Sequence, residues 1–270
     1  MGVTQVRHVI VATESVADDD PAGVVASNIA FVNSLRQEGL FGLEELDADS
    51  LRSYYVDFFQ AQLNNGGFSQ FVYNSRWSPY EIGLVTEGLR AMGAVRHLRF
   101  LDGEANRVAG LGNRKLQKFL GSEYFGKNSL RDKLDENNDT FFEAQSNEDL
   151  RTLNASWLKS LPHLKVLPQD DMADEVTRLS SALPDRSARI ARARSQEPRY
   201  LKIIRALCEE AGQVLGGVTA GDPTHSHAGK TTTAWHFLTD RGHHYYMVET
   251  RREVIMFDGT SHARVAGIAL

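Results

Sequence analysis

The stretch Gln62-Leu63-Asn64-Asn65-Gly66-Gly67-Phe68-Ser69-Gln70-Phe71-Val72-Tyr73-Asn74-Ser75 decides how the first two thirds of the chain are read. Glycine reaches left-handed backbone without steric cost, so Gly66-Gly67 behind two asparagines predicts one helix ending at Asn64 and another beginning near Phe68. Upstream, Leu51, Tyr54, Tyr55, Phe58, Phe59 and Leu63 recur at three- and four-residue steps. That spacing lays an aromatic stripe on one helix face, and Asp47 and Asp49 stand where a cap belongs. The stripe continues past the glycines as Phe68, Phe71 and Val72 and is expected to be core. The amides of Gln62, Asn65, Gln70 and Asn74 either tie the turn to its neighbours or form a recognition cluster.

Outward from this stretch, the chain of 270 residues is long enough for one or two domains with a real core. The single cysteine, Cys208, makes no internal disulfide. With no export signal and no apolar run near 18 residues, the expectation is a cytoplasmic protein that does not enter a membrane. The net charge of −5 conceals an asymmetry: residues 1 to 175 carry 26 acidic against 17 basic side chains, and residues 176 to 270 carry 9 against 13. The two parts therefore attract different partners.

The run Asn64, Asn65, Gly66, Gly67, Phe68, Gln70, Phe71, Tyr73, Asn74 and Ser75 resembles the signature of the bacterial DNA-mimic protein family. Ala91-Met92-Gly93-Ala94 is similar to that family's helix end. Leu130, Lys133, Leu134, Asp135, Asn138, Phe141 and Phe142, followed by Glu148-Asp149-Leu150, are similar to its later helix pair. The resemblance covers about residues 40 to 168. It departs at Gln62, where Glu is common, and at Asn138-Asp139-Thr140, which replaces a shorter approach to the aromatic pair. It implies a mostly helical domain, with the motif residues mainly structural, and a non-enzymatic module that presents acid to a basic protein such as a transcription regulator.

Along the chain, Asp18-Asp19-Asp20-Pro21 opens a helix through Val24, Val25, Ile29, Val32 and Leu35, after an arm that includes a short strand or ordered segment at Val6 to Val11. Ser78-Pro79 with Glu81 launches another helix, ended by Gly93. Five glycines between 103 and 126 predict only short helical pieces there. Helices follow over 129 to 145 and 147 to 160, and Pro162 and Pro168 bracket a boundary. These marks divide the chain into an arm and first helix (1–40), the mimic-like helical domain (41–168) and a C-terminal part (169–270). In the last part, Arg186, Arg189, Arg192 and Arg194 read as a solvated helix face, and no direct nucleic-acid binding is expected. A helix from Pro198 to about Leu215, ended by Gly216-Gly217, holds Cys208 as a small buried hydrophobe. Alternation and turn residues from 232 to 269 predict a small antiparallel sheet with Trp235, Phe237, Tyr245, Met247 and Met256 on one face. The fold class is therefore mostly α, a multi-helix bundle-like domain with a C-terminal antiparallel sheet.

For chemistry, six of nine histidines lie after residue 224. Pairing Thr239 with His243 brings His236 diagonally to His244, the one pair close enough to suggest a metal, but two imidazoles are short of the three or four ligands zinc needs. Thr224 to Thr231 approaches a phosphate loop, yet Thr224 replaces its first glycine and strands follow where a helix should. No nucleophile elbow is present, and no cofactor is implied. On an ideal helix over 129 to 145, Asp132, Asp135, Glu136, Asp139 and Glu143 share a sector opposite Leu130, Leu134 and Phe141. The expected site is this acidic stripe, extended by Glu148 and Asp149 and read by a basic DNA-binding protein; a homodimer is compatible with it. Two other readings stand beside it: an immunity-like partner of one toxin, and a metal-dependent enzyme built on the C-terminal histidines.

Overall fold

The computed structural model describes residues 6–18 and 20–270. The first five residues of the arm and Asp19 of the expected acidic helix start lie outside the described residues. The chain forms two compact units, Met1–Arg186 and Ser187–Leu270.

The first unit begins with strand β1 (Val9–Ala12), a single turn α1 (Thr13–Ala17) and helix α2 (Pro21–Gln37). As the sequence implies, α2 starts on Asp20, whose carboxylate accepts the Ala22 amide at 2.9 Å ahead of a first-turn proline. Helix α3 (Ala48–Asn74) starts the same way, Asp47 accepting the amides of Asp49 and Ser50. Helix α4 (Pro79–Ala91) has its proline and Glu81 in the first turn, although the Ser78 side chain makes no capping bond. The next segment corrects the sequence reading. Instead of short pieces, α5 (Val95–Leu111) runs unbroken through Gly103 and Gly110 and ends at Gly112, where φ is +76°. It buries His97, Phe100, Leu101, Glu104 and Val108 at steps of three and four, and that packing outweighs the roughly 1 kcal/mol cost of an interior glycine.

Helix α6 (Asn113–Leu120) follows, then α7 (Ser129–Leu134), α8 (Asn138–Asn147) and α9 (Leu150–Ser160). The segment expected as one helix over 129 to 145 is thus two, parted by a turn at 135–137. The proline-bracketed segment, read as a boundary, instead holds strand β2 (Leu164–Leu167), which pairs in parallel with β1. Helix α10 (Met172–Ser181) closes the unit on Glu175, whose carboxylate is held at about 2 by Arg178 and Lys165. The core is aromatic: the fully buried Phe59 ring meets Phe71 at 5.0 Å, Phe141 at 5.8 Å and Phe100 at 6.4 Å.

The second unit carries α11 (Arg186–Gln196), which buries no residue, and α12 (Arg199–Glu210). The latter ends at Gly212 (φ +65°), so Gly216 and Gly217 are not its stop. They lie in β3 (Leu215–His227), a long strand the sequence reading did not foresee. With β4 (Lys230–Thr239), β5 (His244–Glu249), β6 (Glu253–Asp258) and β7 (Arg264–Ala269) it forms an antiparallel sheet in chain order. The expected face is buried: Phe237, Tyr245, Met247 and Met256 pack with Trp235 against Ile204, Leu207 and Cys208 of α12. Burial pushes the Cys208 thiol up to about 11, in keeping with a packing role. Among the described residues no helix is long and apolar enough to cross a membrane.

Candidate functional site: the glycine break and the acidic turn

Within α3 the backbone leaves helical geometry only at Gly66 (φ −151°, ψ 15°) and Gly67 (φ +83°, ψ −174°). Beyond the break a new helix begins at Phe68, and its first amides have no intrahelical acceptor. Two side chains, one from the turn after α7 and one from the first residue of α8, supply acceptors. Asn138 Oδ1 takes the Phe68 amide at 3.0 Å, and Asp135 Oδ1 takes the Ser69 amide at 2.8 Å. Ser69 Oγ donates to the other oxygen of Asp135 at 2.7 Å. The carboxylate thus sits at the positive end of the second half of α3. Tyr124 completes the junction by donating to the Gly66 carbonyl at 3.1 Å. A methyl group on Gly67 would press against the Asn138 amide and lie 2.5 Å from Asp135 Oδ1, so only glycine admits this approach.

The side-chain amides also assemble, in a chain. Asn65 donates to Gln70 Oε1 at 3.2 Å, and Gln70 and Asn74 both donate to Gln62 Oε1, at 2.9 and 2.5 Å. Among the described residues Gln62 is engaged through its acceptor oxygen, and a glutamate there would accept the same two bonds.

The acidic residues scatter once the turn is in place. A continuous helix puts them in one sector; the break commits Asp135 to the α3 cap instead. Glu136 pairs with Arg107 at 2.9 Å, and Arg107 also holds the buried Glu104 at 3.0 Å and the Lys133 carbonyl at 2.7 Å. Asp132 pairs with the adjacent Arg131 at 2.8 Å. Glu148 accepts the Arg96 amide at 2.8 Å. Asp149 caps α9 and is held below its usual range, chiefly by the Thr152 hydroxyl. Asp139 and Glu143 remain together on α8, one turn apart, exposed, and without an ion pair among the described residues. Phe142, 44% exposed, flanks them on the same helix. The role of Arg107 and Glu104 escaped the sequence reading, although their three-residue spacing was visible.

His97 joins α5 to the end of α8. Its ring is fully buried, with Nε2 2.9 Å from the Glu148 carbonyl and Nδ1 without a partner among the described residues. Burial lowers its pKa. The unfolded chain takes up a proton near its ordinary pKa of about 6.5 while the folded one resists, so stability present above that pH is lost as pH falls toward the folded value. In urea titrations at descending pH, the wild type should lose up to about 1.4 kcal/mol per pH unit more than His97→Gln, and equal slopes would contradict the assignment.

In the second unit, His236 Nδ1 and His244 Nε2 stand 3.1 Å apart with rings stacked at 5.3 Å, as the strand pairing implies. No third ligand atom joins them among the described residues. His225 and His262 pack around the Tyr246 ring and His227 against Phe257. Gly229-Lys230-Thr231 lies at the β3–β4 turn and the start of β4, with no helix following, so the amide cradle of a phosphate loop is not formed.

Residues 44–161, from the short turn ahead of α3 to the end of α9, match the family model described as DMP19-like protein. The match supports placing this region, rather than the whole chain, with the DNA-mimic family. No curated protein and no solved structure matches the chain.

Proposed function

We propose that the helical unit is a protein-binding module of the DNA-mimic type, whose acidic surface is read by a basic, DNA-binding protein. The observation that carries this is the exposed, unpaired Asp139 and Glu143 on α8, set in a unit whose 27 acidic and 19 basic side chains leave −8, within the region that matches the family. Asp132 on α7 and Glu136 in the turn before α8 keep 65% and 63% of their side chains exposed despite their pairs. The surface is thus an acidic patch around a turn, with Phe142 as an aromatic anchor, and not a linear row of charges along one helix. A field of this kind steers an oppositely charged partner and is screened within about 10 Å at 0.1 M salt.

The test is capture of the partner by the full chain at about 50 mM and about 200 mM salt, with and without duplex DNA. The expected result is capture that falls steeply with salt and is abolished by DNA, because both ligands use one basic surface of the partner. Capture indifferent to salt, or a ternary complex with DNA, contradicts the reading. Salt-indifferent capture points instead to a shape-matched partner of the immunity type.

A further inference from the structure

At the start of α3, three side chains from distant parts of the chain converge. Asp47 and Asp49 come from the helix start, and His163 from the residue before β2. His163 Nε2 lies 3.5 Å from Asp47 Oδ1 and 3.4 Å from Asp49 Oδ2, and the ligand atoms of all three fall within 4.8 Å of one another. Those separations exceed a good N–H···O hydrogen bond of about 2.9 Å. The two distances to His163 match two edges of a coordination tetrahedron: with metal–nitrogen and metal–oxygen bonds of about 2.1 Å, neighbouring ligand atoms stand about 3.4 Å apart.

The surroundings hold the ligands in place. Asp47 is fixed through Oδ1, the oxygen that also faces His163, by the amides of Asp49 and Ser50, at 2.9 and 3.1 Å. Asp49 Oδ1 is held by Arg52 at 2.6 Å, which leaves Oδ2 turned toward His163. The His163 backbone is tied through its carbonyl to the His8 ring at 3.3 Å. Such outer bonds orient carboxylate ligands in metal sites. The three side chains are 15–29% exposed, open enough for an ion to enter. Arg52 is shared with Glu87 at 2.7 Å, so Asp47, Asp49, Glu87 and Arg52 together carry −2, the charge a divalent cation neutralises.

We propose that Asp47, Asp49 and His163 bind a divalent transition-metal ion of the zinc class through two carboxylate oxygens and one imidazole nitrogen, with a further coordination position open to solvent. The mixed oxygen and nitrogen set suits Zn²⁺ or Co²⁺ better than the all-oxygen shells of Ca²⁺ and Mg²⁺. The ion would clamp the start of α3 to the approach to β2.

The experiment titrates Co²⁺, then Zn²⁺, into the chelator-treated full chain, reading the visible Co²⁺ absorption and the Tm. One equivalent of Co²⁺ should bind with the intense band of a four-coordinate ion, Zn²⁺ should displace it, and both should raise Tm. His163→Gln and Asp49→Asn, with circular dichroism confirming their fold, should each weaken binding by about 100-fold or more, while His236→Ala should not. The proposal is overturned if neither ion binds, if both variants bind as the wild type does, or if His236→Ala alone abolishes binding, which would move the site to the C-terminal sheet.

Discussion

Gly67→Ala should destabilise the helical unit by roughly 3–5 kcal/mol, with its urea midpoint falling accordingly. Two costs combine. The backbone at φ +83° and ψ −174° lies where side chains other than glycine are strained by about 1–3 kcal/mol. The added Cβ also displaces Asn138 from the Phe68 amide and Asp135 from the Ser69 amide, and loss of the hydrogen bond to the charged Asp135 alone costs about 1.5–3 kcal/mol. Gly66→Ala is the internal control, because its φ of −151° is open to any residue and the nearest atoms to its Cβ belong to the Gln70 side chain, which can rotate away at the cost of its bonds to Asn65 and Gln62. That variant should lose about 1 kcal/mol or less. Equal losses in the two variants would show that Gly67 is not held by the turn.

A loss of about 3–5 kcal/mol is also expected for Phe59→Ala. Its ring is completely buried and touches Phe71 beyond the break, Phe100 on α5 and Phe141 on α8, so its removal opens a cavity where four helical segments meet. Phe142→Ala, on the exposed side of α8, should change stability by less than about 0.5 kcal/mol. Urea unfolding of the full chain followed by circular dichroism checks both. A loss below about 1 kcal/mol for Phe59→Ala would mean that the aromatic stripe is not the centre of the core.

The features legible in the sequence were those written locally. The break after Asn65 is carried by its own glycines, the starts of α2 and α3 by their own aspartates, and the buried face of the sheet by its own alternation. The misread features depend on residues far away. The turn at 135–137 reads locally as continuous helix because what breaks it is distant: Asp135 at the end of α7 and Asn138 at the start of α8 cap a segment 66 and 70 residues upstream. Helix α5 looked broken because its glycines were visible while the neighbours that bury Phe100 and Val108 were not. Strand β3 was hidden by Gly216, Gly217 and Gly221; the last of these leaves room for Trp235, whose ring carbon would stand 3.0 Å from a Cβ there. The meeting of His163 with Asp47 and Asp49 spans more than a hundred residues and has no local signature.

This non-locality also narrows the proposed acidic site. Asp135, Glu148 and Asp149 serve the fold; of the other proposed acidic residues, Asp139 and Glu143 make no ion pair among the described residues, while Asp132 is paired with Arg131 and Glu136 with Arg107. The most direct measurement is the salt dependence of partner binding by the full chain carrying Asp132→Asn, Asp139→Asn and Glu143→Gln together. None of these side chains caps a helix or touches the core, so circular dichroism should be unchanged. The account predicts binding weaker by about tenfold or more at low salt, with a shallower dependence on salt. Wild-type affinity with a wild-type salt slope would contradict it.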